Sequence, residues 1–187
     1  MFWIIMDPVG SIPIFVAKLK HFSPKRQRWI IIREMVIALA IMVGALFFGR
    51  EFFDLIHVDE SALSITGGTI LFLISIKMVF AKVHKESELE SVARDPIIVP
   101  LAMPLTAGPG ILVAILLYSN EGLGSQLMVL AAISIAWLFS LPLLLLSPEI
   151  KKFIGNNGAV AVERLFGFIL ILISVQMFLS GIISTTR

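Results

Sequence analysis

Cysteine is absent from the 187 residues, which removes disulfides, thiolate metal sites and cysteine nucleophiles together. Histidine is scarce: His21, His57 and His84 fall in three separate connections with no ligand spacing among them, so a metal centre is not expected. No G-x-x-x-x-G-K-[ST] stretch occurs, so nucleotide hydrolysis has no cradle here. No general base and nucleophile stand at a plausible spacing, and the chain is not expected to be an enzyme or to carry a cofactor. Charge is also short, at 15% of residues against 58% hydrophobic, with a mean hydropathy of +0.98. Apolar residues exceed what one globular core of this size needs.

What the chain does have is long apolar runs. Six segments, 1–17, 29–49, 62–81, 96–119, 125–147 and 164–183, occupy most of it. Several are about 20 residues long, enough to cross a hydrocarbon core of about 30 Å as a helix. Alternating strands of about ten residues, the mark of a β-barrel, do not occur. The fold class is therefore an all-α membrane protein with six transmembrane helices in a single domain over 1–187. The opening "MFWIIMD" has no basic residue ahead of its apolar run and no small-residue cleavage site, so it does not read as a removable signal peptide. It is short for a full span before Asp7.

Thirteen of the fifteen basic residues belong to the first, third and fifth connections or the span ends beside them, with Lys18 to Arg33, Lys77 to Arg94 and Lys151 to Arg164 as the three groups. The positive-inside rule makes that side cytoplasmic and both termini extracytoplasmic. The same basic loops contact the headgroups of the lipid bilayer without adding a function.

The chain also matches itself. "GTILFLISIKM" (Gly68 to Met78) and "GFILILISVQM" (Gly167 to Met177) agree at seven of eleven positions, with Gly, Ser and Met in register. Repeat one then covers about 1–82 and repeat two about 96–187, joined by a cytoplasmic connection at 83–95. Each half has an odd number of spans, so the halves are inverted relative to each other, the arrangement of many secondary transporters.

Each half opens with a span interrupted by proline and glycine: "DPVGSIPIF" from Asp7, and "VPLAMPLTAGPGIL" around Gly108. The two align with Pro8 and Pro13 on Pro104 and Pro109, or with Gly10 on Gly110, and the sequence does not choose. Proline removes a donor and glycine releases helical geometry. Backbone groups freed in hydrocarbon each cost several kcal/mol unless something satisfies them. Such breaks produce half-helix N-termini whose N–H groups and dipoles hold an anionic group. Taken singly, a proline kink means only shape, and Asp7-Pro8 is also an ordinary helix start. Asp7 is the one acid deep in a span, so it reads either as a cap or as a functional charge. Ser11 and Thr106 offer hydroxyls beside the breaks, and Gln176 offers an amide in the sixth span, with capping and packing as their competing uses. Gly67 and Gly68 permit close helix packing.

With these motifs in order, together with "SPKRQR", "ITGG", "RLFGFIL" and "VQMFLSG", the chain resembles the MarC family of integral membrane proteins along nearly its whole length. The resemblance implies kinship with the lysine-exporter superfamily and a transporter of small neutral amino acids such as glycine or alanine in the cytoplasmic membrane. It places Asp7, Pro8, Gly10 and Pro13 in the family's first broken-helix motif and Pro104, Gly108, Pro109 and Gly110 in its second. Relatives often carry Asn at the place of Asp7 and have a longer apolar stretch before it. The expectation is a secondary transporter that moves a zwitterion by alternating exposure of a central site, driven by a proton or other ion gradient or by the solute's own. Transport of another small solute or a metal ion, or an accessory role without transport, are the competing readings. Nucleic acid is not an expected partner, and a homo-oligomer is compatible with the sequence.

Overall fold

The computed structural model describes residues 1–80, 107–119 and 122–185, and every described element is an α-helix. In chain order these are α1 (Phe2–Met6), α2 (Pro8–Leu19), α3 (Pro24–Leu55), α4 (Glu60–Val79), α5 (Pro109–Tyr118), α6 (Leu123–Leu145) and α7 (Ser147–Thr185). Among the described residues, four stretches are long and apolar enough to cross a membrane: Pro24–Leu55, Glu60–Val79, Leu123–Leu145 and Asn157–Thr185. At 1.5 Å per residue, α3 is about 48 Å long and overshoots a hydrocarbon core, while α5 spans about 15 Å, half of one.

Two boundaries differ from the sequence reading. The connection carrying Lys151 and Lys152 is helical, because α7 starts at Ser147 and changes direction at Gly155, where φ is 72°. Pro13 does not interrupt its helix: α2 runs through it to Leu19. A proline at that depth forfeits one backbone hydrogen bond, but the turns on either side keep theirs, so the single break in the first segment lies at Asp7.

The interior is built from one stripe of each helix. On α3, Ile31, Met35, Ala38, Met42 and Leu46 are buried, a spacing of three and four that marks one helical face. They pack against α6, where the Trp137 indole N–H donates to the Met35 carbonyl at 2.7 Å. The opposite faces display large apolar side chains, among them Phe48, Leu138 and Phe139. In water such a surface would drive aggregation, whereas lipid accepts it.

The longest seam joins α4 to the second part of α7, running antiparallel. Ser64 Oγ donates to the Met177 carbonyl at 2.8 Å. Small residues set the approach: a Cβ at Gly68 would lie 2.8 Å from both the Ser174 carbonyl oxygen and the Phe178 nitrogen, and one at Gly167 would lie 3.2 Å from the Ser75 carbonyl oxygen and 3.0 Å from Val79. The contacts are reciprocal. Gly68 and Gly167 are equivalent in the internal match, as are Ser75 and Ser174, so each half presents its glycine to the other half's serine. Helix association without a hydrophobic driving force relies on such close approaches of small residues.

α5 packs antiparallel to α4, with Gly67 against Val113 and Gly110 against Leu71. At its far end an Arg50 guanidinium N–H donates to the Ser119 carbonyl at 3.3 Å, tying α3 to the last turn of α5. α1, α2 and α5 are thereby held inside the bundle, around the site.

Candidate functional site

Asp7 forms the joint between α1 and α2. Its backbone is left-handed, with φ 42° and ψ 58°, a conformation that Asp and Asn visit more readily than most residues because a short polar side chain can bond locally. Its N–H donates to the Ile4 carbonyl at 3.1 Å, closing α1. Its Oδ1 accepts the Gly10 N–H at 3.0 Å, opening α2. The Ser11 hydroxyl donates to the Asp7 carbonyl at 2.9 Å. Pro8 occupies the first helical position, where its missing donor is not needed. Gly10 lies under the Asp7 carboxylate, and a Cβ there would collide with it. The capping reading of Asp7 is thus realised in full.

α5 begins the same way with one difference. Pro109 takes the first helical position and Gly108 the cap, in extended geometry with φ −67° and ψ 167°, and no side chain bonds the helix start. Pro8 and Pro109 thus hold the same first position of their helices, and Asp7 and Gly108 the cap before it, so the start of α2 carries its own carboxylate and the start of α5 has no side-chain cap.

Between them is a cavity of about 190 Å³. Ile5, Asp7, Gly10 and Ser11 form one wall and Gly108, Gly110 and Ile111 another, with Leu71, Ile74 and Met78 of α4 and Glu163 and Leu170 of α7 closing it. Leu71 and Leu170 are equivalents in the internal match, so the cavity straddles the seam of the two halves. Asp7 is 9% exposed. No lysine, arginine or histidine lines the cavity among the described residues. The buried Glu34, away from the cavity, is paired with Arg33 at 2.5 Å.

Of the residues singled out from the sequence, Asp7, Gly10, Ser11, Gly108 and Gly110 come together on this cavity. Pro8 is buried beside it. Pro13 lies against a separate small void of about 20 Å³ next to Ile150 and Val162, and Pro109 is exposed. Gln176 is exposed as well, its amide nitrogen 3.5 Å from Ser180 Oγ, so it does not reach the cavity. Pro104 and Thr106 lie outside the described residues. Glu163 is a lining residue that the sequence reading left out of the site. A signal was present: Glu163, Gly167, Leu170, Ser174 and Met177 follow at four, three, four and three residues, one helical face.

These features define an integral membrane protein of several apolar helices, with a small cavity between the starts of α2 and α5. The chain belongs to the MarC family: the family model described as "MarC family integral membrane protein" matches residues 1–186. Among curated proteins it is 43% identical over 179 residues to the UPF0056 membrane protein BU449 of Buchnera aphidicola subsp. Acyrthosiphon pisum, covering 96% of this chain and 91% of that one. It is 42% identical to the UPF0056 inner membrane protein YhgN of Escherichia coli K12, with the same coverage. A UPF0056 membrane protein of Chlamydia pneumoniae is 42% identical over 182 residues, with 97% and 90% covered. No solved structure matches.

Proposed function

We propose that this protein is a secondary transporter of small neutral amino acids, of the size of glycine or alanine, that exposes the central cavity alternately to the two sides of the cytoplasmic membrane. The observation that carries this reading is the cavity's two-sided chemistry. One wall is a half-helix N-terminus with no side-chain cap, where backbone N–H groups and the dipole favour a carboxylate. The opposite walls carry Asp7 and Glu163. A zwitterion with its charges one carbon apart complements both. The volume of about 190 Å³ is below the range of about 300–1,000 Å³ usual for drug-sized ligands, and Leu71, Ile74, Met78 and Ile111 leave space only for a short side chain.

The reciprocal α4–α7 contacts support an architecture of two inverted three-helix repeats whose first segments are broken, and that architecture suits alternating access. The inner-membrane designation of YhgN and the basic connections favour the cytoplasmic membrane, with both termini extracytoplasmic. The test is uptake of labelled glycine and alanine by proteoliposomes, with and without a proton or sodium gradient. Saturable uptake above that of protein-free vesicles is expected, with Gly108→Leu lowering it by at least about tenfold through blocked backbone approach. No uptake or exchange of either amino acid under any gradient would refute the reading.

A further inference from the structure

We propose that Leu71, seated against Gly110, is the specificity-determining residue of the cavity and sets the largest cargo side chain at that of alanine. The role rests on the transport reading and adds to it the residue that does the selecting. The seam of α4 and α5 interlocks twice. Val113 of α5 lies over Gly67 of α4, and one turn further along Leu71 of α4 lies over Gly110 of α5. Each larger side chain fills the hollow left by a glycine of the other helix, so neither has room to turn aside. Leu71 is 3% exposed, and a Cβ at Gly110 would stand 2.9 Å from its Cδ1, well inside an ordinary carbon–carbon contact.

That contact falls where a cargo would be held. Pro109 has no N–H, and the Ile111 and Leu112 N–H groups both donate to the Gly108 carbonyl, at 3.2 and 3.3 Å. A carboxylate arriving at the start of α5 thus meets the Gly110 N–H. Its α-carbon then lies beside Gly110, and Gly110 and Leu71 both line the cavity. The cargo's side chain has the end of Leu71 as its nearest boundary. Ile5 comes next, its Cγ2 3.7 Å from the same Cβ position, an ordinary contact distance. Ile74, on the same helix as Leu71, is exposed and has room to yield. Leu170, the equivalent of Leu71 in the internal match, closes the cavity from α7.

The boundary can be moved in either direction. Leu71→Ala removes an isopropyl group, which is what leucine carries beyond alanine. Gly110→Ala sets a methyl group against Leu71, and the space open to the displaced side chain is the cavity itself. The first change admits a larger cargo, the second confines the site to glycine, and the two together offset each other.

The test uses the full chain in proteoliposomes, with glycine, alanine, α-aminobutyrate and leucine as competitors for labelled glycine. Each competitor is read as a ratio to glycine, which does not depend on how much protein is active. In the parent, alanine is expected to compete and leucine not. Leu71→Ala is expected to raise leucine against glycine by about tenfold or more, the scale of steric discrimination in an apolar pocket. Leu71→Val, a gentler truncation, should favour α-aminobutyrate, one carbon longer than alanine. Gly110→Ala should lower alanine against glycine by about tenfold, and Leu71→Ala combined with Gly110→Ala should restore it. Leu138→Ala, on the outer face of α6, should match the parent. Folded Leu71→Ala and Leu71→Val proteins that keep the parent's ratios would overturn the assignment and leave the transport reading intact. So would a Leu170→Ala protein that admits leucine as readily as Leu71→Ala does, since the limit would then belong to the cavity's volume at large. A parent that neither binds nor moves glycine or alanine overturns both.

Discussion

Asp7 performs one task that Asn can share and one that it cannot. The cap on Gly10 and the left-handed backbone both suit Asn, which keeps the side-chain oxygen and the local bonding. Leu supplies neither. Asp7→Leu is therefore expected to lose about 1 kcal/mol for the cap and about 1–2 kcal/mol for the left-handed joint, seen as lower thermal stability in detergent. Asp7→Asn should keep the parent's stability and substantial transport, because Asn retains the cap on Gly10. Inactivity of a folded Asp7→Asn protein would make the Asp7 charge obligatory and the cap secondary. At this scale the sequence was informative about types and less so about directions. "DP" announced a helix start whatever the tertiary fold, since N-cap Asp followed by Pro is a local device. The inward aim of Glu163 needed its phase relative to Gly167 and Leu170, and the outward aim of Gln176 needed the axis of packing, which one helix viewed alone does not reveal.

Glycine at the α4–α7 seam is required where the opposing atom is backbone. The Gly68 Cα faces a carbonyl and an amide of α7, neither of which can turn aside as a side chain can. Gly68→Ala is expected to destabilise by about 1–3 kcal/mol, the usual penalty for overpacking. Gly44, in the interior of α3 with open space around it, should accept Ala with no loss or a gain of about 0.5–1 kcal/mol from helix propensity. Paired melting curves check the contrast, and equal effects at the two sites would show that the seam is loose. The apolar segments were legible as elements because period and length are written in composition. The single break at Asp7, with Pro13 carried inside α2, was not. Both prolines look alike in sequence, and only the one flanked by a cap and a clearing glycine ends a helix.

Orientation belongs to the whole molecule. A chain without cysteine accepts a single reporter cleanly, so Ser23→Cys in the turn before α3 is expected to resist an impermeant thiol reagent in intact cells and to react after the membrane is opened. Labelling in intact cells would reverse the assignment of sides. The charge asymmetry behind this expectation was plain in the sequence because it depends on which connection a residue occupies and not on its contacts. The cavity was legible only as two suspect segments, since the closing surfaces come from α4 and α7, far away in the chain.

The reciprocity of the α4–α7 seam has an energetic meaning as well as a geometric one. In an antiparallel pair with two such contacts, a slide of α4 along α7 draws Gly68 off Ser174 and Gly167 off Ser75 by the same amount, so the two contacts fail together. The seam acts as a double latch with one registered position, and a Cβ at either glycine disturbs both ends of it.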